Sequence, residues 1–335
     1  MKKIIVAVTL VGLSTSLGAA PFTIDETGRS FERLADAVAA VGPATQTIRI
    51  APGVYRDCAI QKEGWVRYVA AQPRTAIFDG GICEGKAGLV LRGGGATIDG
   101  LVFQNFRVPE ANGSGIRLEK GRLVVANSIF RDSEQGILAG AVPGGEVVIE
   151  HSTFSRLGRC DRGLDCAHSL YFGQIQSVTI HRSRFEKGMG GHYVKSRAAR
   201  IDISDSSFDD THGHTTNYMI DLPEGAAGVI LRNIMVQGRD KENHGAFIAV
   251  GAEGQRNVSD GLIVSGNRAH RAPGITWPTA LLLDWTGAAI RIDHNEIGPK
   301  IELHGDGKAG PAGAAGALFA RLKAYVRRFA NQFGG

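Results

Sequence analysis

Between residues 45 and 300 the sequence lacks any segment with the apolar periodicity of a helix. That excludes the layouts in which strands alternate with helices around a parallel sheet. Cysteine is scarce, four in 335 residues, and no pair has the CxxC spacing of a zinc site. A basic stripe interleaved with aromatics is also missing, and a net charge of +5 is too mild to recruit nucleic acid. No apolar run is long enough to span a bilayer. The longest near the start, Ile4 to Leu13, follows Lys2 and Lys3 and precedes the small residues Gly18-Ala19-Ala20. That pattern predicts a secretory signal peptide over residues 1–20, too short and wrongly flanked for a transmembrane helix. Its removal takes two lysines and lowers the formal charge from +5 to +3. No cysteine follows it to carry a lipid. The mature chain is therefore expected in the periplasm or outside the cell.

What is abundant is glycine, 46 residues spread along the whole chain, which implies many evenly distributed tight turns. Cys58, Cys83, Cys160 and Cys166 form an even set in an exported chain, and two disulfides are expected. Of the three connectivities, Cys58–Cys83 with Cys160–Cys166 is favoured. The first pair is 25 residues apart, near the repeat length found next, and the second closes a short loop around Asp161 and Asp165.

One pattern recurs eight times: aliphatic, two variable residues, a small polar or aliphatic residue, one variable residue, then a large apolar residue. Its copies start at Ile98, Val125, Ile149, Ile180, Ile203, Leu231, Val264 and Ile292, separated by 27, 24, 31, 23, 28, 33 and 28 residues. Short apolar strands lie between most copies, such as Gly115-Ile-Arg-Leu118 and Gly245-Ala-Phe-Ile-Ala-Val250. A period thus holds at least two short strands and no helix. A unit of this size cannot bury its own apolar face, whereas stacking coil on coil pairs each strand with its equivalents and lines up like residues inside. Phe103, Phe130, Phe154, Phe185 and Phe208 are expected to form an interior stack, with the Ser/Asn position two residues earlier bonding local backbone at a turn. The fold class expected is all-β, a right-handed parallel β-helix of roughly ten coils. A capping helix is expected over Ser30 to Val41, with Ser30 at its start and Gly42-Pro43 as its stop. Residues 21–304 would form the solenoid with its cap, and 305–335 a linker followed by an amphipathic helix from Ala317 to Phe333. That last helix serves either as a cap or as a weak contact with a membrane surface.

The Ile50-Ala-Pro-Gly-Val-Tyr55 opening and the run of Asn/Ser-x-Phe coils resemble the pectate-lyase-like right-handed parallel β-helix superfamily over about residues 45–300. The resemblance implies a fold and a carbohydrate context. It does not select among lyase, hydrolase, epimerase and adhesin.

Three consecutive coils carry ionisable residues on the short strand: Ala167-His168-Ser-Leu-Tyr171-Phe-Gly173, Gly191-His192-Tyr-Val-Lys195-Ser-Arg197 and Asn217-Tyr218-Met-Ile-Asp221-Leu-Pro223. With Leu170, Val194 and Ile220 inward, strand alternation turns Tyr171, Lys195 and Asp221 outward in one column, on coils about 4.8 Å apart. His168 and His192 stack one column back. Leu138 on the coil before and Ala249 on the coil after interrupt the pattern. Arg197, Glu224 and Glu253 are expected at the rim. As an outward residue, Lys195 is expected to be removable without loss of folding. β-Elimination of a uronic-acid polysaccharide needs a cation against the sugar carboxylate, a base for the C5 proton and an acid for the leaving oxygen. Lys195 or Arg197, His192 and Tyr171 supply that set, and superfamily lyases that use Lys or Arg as base support it by resemblance. A C5-epimerase would use similar residues. A glycoside hydrolase needs paired carboxylates, and only Asp221 is on the ladder. A non-catalytic glycan-binding β-helix is the remaining alternative. The expected partner is an anionic polysaccharide or oligosaccharide, and no cofactor or metal is expected. The Asp209-Asp-Thr-His212-Gly-His214 run reads as a polar turn in preference to a metal site.

Overall fold

Each coil opens with a strand whose alternate residues are apolar, as Leu123 and Val125 are in Arg122–Ala126. The residue ending or following that strand takes positive φ in coil after coil. Gly100, Asn127, His151, Arg182, Asp205, Arg232, Gly266 and His294 all lie between 46° and 71°. One left-handed residue ends the strand and turns the chain toward the next sheet, at a cost of roughly 1–2 kcal/mol where it is not glycine. The turn is held by the position that follows. Ser128 donates its hydroxyl to the Ala126 carbonyl (2.7 Å) and accepts the Leu101 N–H of the coil before (3.2 Å). Ser152, Ser183, Ser206, Asn233, Asn267 and Asn295 repeat the coil-to-coil bond. The local bond is the expected one. The second follows because the turn N–H, lying outside any strand ladder, needs an acceptor from the next coil.

The computed structural model describes residues 20–308. The expected signal peptide and C-terminal helix lie outside the described residues. From Thr45 to Asp306 the chain makes ten coils, each giving one strand to each of three parallel sheets. Each sheet adds its strands in chain order, one coil at a time, with parallel pairs such as Leu123↔Val147 in the first, Phe130↔Phe154 in the second and Leu170↔Val194 in the third. A third strand per coil exceeds the two the sequence made visible, because second-sheet strands of three residues, such as Ile129–Arg131, are too short to show a period.

The phenylalanines stack as expected. Phe103, Phe130, Phe154, Phe185 and Phe208 lie ring on ring at 4.7–5.0 Å. Phe78 and Tyr55 extend the column at 5.4 and 5.8 Å. One copy of the pattern is out of register in the sequence reading. Ile230, not Leu231, pairs with Ile203, which puts Asn233 in the Ser/Asn column and Met235 beneath Phe208. Both Leu231 and Ile234 are aliphatic, and the motif fits at either frame.

The cap also differs in detail. The helix runs over Leu34–Val41 and buries Leu34, Ala37, Val38 and Val41. Ser30–Phe31 is instead a short antiparallel edge strand against Phe22–Ile24, which in turn pairs antiparallel with Thr45–Ile50 of the first sheet. The helix start is capped in trans, by the Leu34 N–H donating to Asp57 (2.8 Å), and Gly42 (φ 57°) ends it. The last third-sheet strand, Ile301–Asp306, extends two residues into the stretch read as a linker. Cys58–Cys83 and Cys160–Cys166 are both disulfides, as the spacing suggested. They fit an oxidising compartment.

Candidate functional site

A cleft of about 650 Å³ opens on the third sheet, lined by His168, Tyr171, His192, Lys195 and Arg197. Glu110, Asp165, Glu242 and Glu253 stand around it. The register is the one the sequence implied: Tyr171 pairs with Lys195 and Lys195 with Asp221, with Leu138 before and Ala249 after. Beyond Leu138 the same column returns to charge at Arg117.

The column faces away from the core, yet it is not a solvated face. Lys195 is 8% exposed and Asp221 3%, and His168 and His192 are similarly covered. The Cys160–Cys166 loop supplies one wall. Buried Arg159 fastens that loop from within, donating to the Asp165 carbonyl (2.9 Å). The expectation that Lys195 is an exposed ladder residue is therefore corrected: its side chain is covered.

Local sequence explains the close approach of neighbouring coils. Gly191 has φ 61°, and a Cβ there would meet the Ala167 carbonyl at 2.2 Å and His168 Nδ1 at 2.5 Å. With no side chain in the way, the His192 N–H donates to His168 Nδ1 (3.1 Å), which leaves the ring proton of a neutral His168 on Nε2. The His168, His192 and Tyr218 rings form a column with centroids 5.0 and 5.7 Å apart.

The electrostatics of the floor follow from burial and pairing. Lys195 Nζ lies 2.9 Å from Asp221 Oδ2 and 2.6 Å from Glu253 Oε1. Burial works against its charge, but the two carboxylates outweigh burial and hold the ammonium above the usual lysine range. His192 goes the other way: burial, then the positive charge of Lys195, push it well below the usual imidazole range. Its Nδ1 is 3.3 Å from the Tyr218 carbonyl and its Nε2 3.3 Å from Asp221 Oδ2, both acceptors, so the neutral ring has a partner for its one proton on either side. Arg197 pairs with Glu224 (3.4 Å) and Glu253 and lies 5.8 Å above the Tyr171 ring. Burial and then the negative charge of Asp221 push the Tyr218 phenol up to about 12.

Several of these residues carried little or no sequence signal. Tyr218 stands three residues before Asp221, as His168 does before Tyr171 and His192 before Lys195, so its column was readable from the spacing. Glu242 was not, because it comes from an irregular connection; it accepts from Asn217 Nδ2 (2.8 Å). The Asp209–His214 run separates into parts. Asp210 is buried and accepts from the Tyr193 hydroxyl (2.7 Å), Thr216 Oγ1 (2.7 Å) and Lys241 Nζ (3.0 Å), while His214 pairs with Asp240 at the surface. Among the described residues the one group with ligand atoms close enough for a metal is Cys160, Cys166 and Glu242, and its sulfurs are joined to each other.

The strand order defines the class, a three-sheet parallel β-helix protein. No protein-family model and no curated protein sequence matches the chain. Among solved structures it is similar to the pectin methylesterase from Aspergillus niger in deglycosylated form, with a TM-score of 0.47 and 12% identity over 78% of this chain and 89% of that one. It is also similar to a tailspike protein from Acinetobacter baumannii bacteriophage Fri1, a capsular polysaccharide depolymerase, with a TM-score of 0.36 and 8% identity over 81% of this chain and 54% of that one. Likenesses of this size carry no residue role across.

Proposed function

We propose that the cleft binds a uronic-acid-containing glycan and cleaves it by β-elimination, outside the cytoplasm. The observation that carries this reading is that His192, Lys195, Arg197 and Tyr171 line one cleft, which brings a base, two cations and an acid to one site. Lys195 and Arg197 offset the sugar carboxylate, which acidifies the C5 proton. His192, which lines the cleft, takes that proton on its unprotonated ring nitrogen, and the Asp221 carboxylate 3.3 Å from its Nε2 stabilises the imidazolium formed. The C5–H pair becomes the C4–C5 double bond, the C4–O bond breaks, and the Tyr171 hydroxyl protonates the departing oxygen. Raised above its ordinary range, Lys195 serves as a cation and not as the base. Hydrolysis through Asp221 is less well supported. Its carboxylate and that of Glu253 share one ammonium, so the spacing is close enough for a retaining pair. Asp221, however, lies behind His192 and Lys195 and does not line the cleft.

The test is a panel of anionic and neutral polysaccharides, followed by ultraviolet absorbance of unsaturated uronide ends. Absorbance should rise with uronate polymers, stay flat with neutral ones, and vanish in Tyr171→Phe. New reducing ends without absorbance would assign a hydrolase instead, and glycan retained without any new ends would assign a binding module.

A further inference from the structure

We propose that Glu253 is a built-in stand-in for a substrate carboxylate, and that Lys195 and Arg197 form a carboxylate subsite which a uronate enters by displacing the Glu253 side chain. This rests on the reading that the cleft takes an acidic glycan.

The geometry is that of a bound ligand. Glu253 places Oε1 on Lys195 Nζ (2.6 Å) and Oε2 on Arg197 Nη2, one oxygen to each cation. Both cations belong to one segment, two residues apart, and are well covered, with side chains 10% and 13% exposed. Glu253 is the exposed party at 40%. Each cation also has a second partner that stays when Glu253 leaves: Asp221 for Lys195, and Glu224 for Arg197. Arg197 Nη1 is buried and has no hydrogen-bond partner among the described residues, so the guanidinium is not fully satisfied by Glu224 and Glu253. Displacement does not require the loop to move. The Gly251 and Glu253 N–H groups are bonded to the Leu222 and Pro223 carbonyls (2.9 and 2.8 Å), so a side-chain rotation is enough.

Charge favours exchange over addition. Lys195, Arg197 and Arg256 face Asp221, Glu224 and Glu253 through direct contacts, three charges of each sign. A ligand carboxylate added to that set leaves it with excess negative charge in a largely desolvated place, whereas one that replaces Glu253 leaves it balanced.

The experiment is titration of the full chain with sodium D-glucuronate and, separately, D-glucose, followed by calorimetry. Glu253→Gln should tighten glucuronate by about tenfold or more by removing the internal competitor, and leave glucose unchanged. Adding Arg197→Gln should abolish the gain. Because Glu253 is partly exposed, Glu253→Gln is expected to fold, and Glu253→Ala repeats the test without the amide. Unchanged or weaker glucuronate binding in both variants, or an equal gain for glucose, would overturn the proposal. Tighter glucuronate binding with no unsaturated ends from any polymer would leave the subsite standing and remove the elimination chemistry. Unsaturated ends without tighter binding would do the reverse.

Discussion

At the scale of single residues, the site departs from what its sequence suggests in how deeply the charges are buried. Strand alternation gave the direction of Tyr171, Lys195 and Asp221 correctly, because a period of two is indifferent to what stands outside the sheet. Whether that outside is water or protein depends on loops with no period, here those carrying Asp165, Glu242 and Glu253. Two expectations follow from the burial. Lys195→Ala should cost about 3–5 kcal/mol of stability, since it strands Asp221 as a covered charge. Much of that loss should return in the Lys195→Ala, Asp221→Ala double variant, and equal denaturation midpoints for wild type and Lys195→Ala would contradict the burial. His192 gives a pH signature. Its folded form resists protonation while the unfolded chain binds a proton near pH 6.5. Stability should therefore fall as pH drops below about 6.5, by roughly 1.4 kcal/mol per pH unit from this group. Thermal melts of wild type and His192→Gln between pH 7.5 and 5 would reveal it, as a slope that is shallower in the variant. Lys195 contributes with the opposite sign, its share being lost only as pH rises above the ordinary lysine range.

At the scale of elements, the coil is specified by a left-handed residue, a Ser or Asn and an aromatic, in that order. The aromatic and the Ser/Asn were legible because each recurs with the coil. The left-handed position was not, because Asn127, His151, Arg182 and Arg232 share no chemistry that marks a positive φ. The same degeneracy moved one copy by a residue at Leu231. Phe154→Ala should cost about 3–5 kcal/mol by opening a void within the stack. Ser152→Ala should cost about 1–3 kcal/mol, because the buried Ser128 N–H loses its acceptor. Urea denaturation would separate the two. If Ser152→Ala cost as much as Phe154→Ala, the stack would not be the main source of coil cohesion.

At the scale of the whole molecule, a one-dimensional stack of ten coils leaves the identity of its site to insertions between strands, so the repeat that reveals the fold says little about the chemistry. Both disulfides were readable because coil length fixed one spacing and a short loop the other. The walls of the cleft and the position of Asp221 behind its floor had no such guide, and the proposal of elimination over hydrolysis rests on them. The most direct measurement is the mass of the products released from a uronate polysaccharide in water enriched in heavy oxygen. Elimination predicts fragments lighter by one water than hydrolytic ones, carrying an unsaturated end and no heavy oxygen. Saturated fragments that each gain one heavy oxygen would contradict the account.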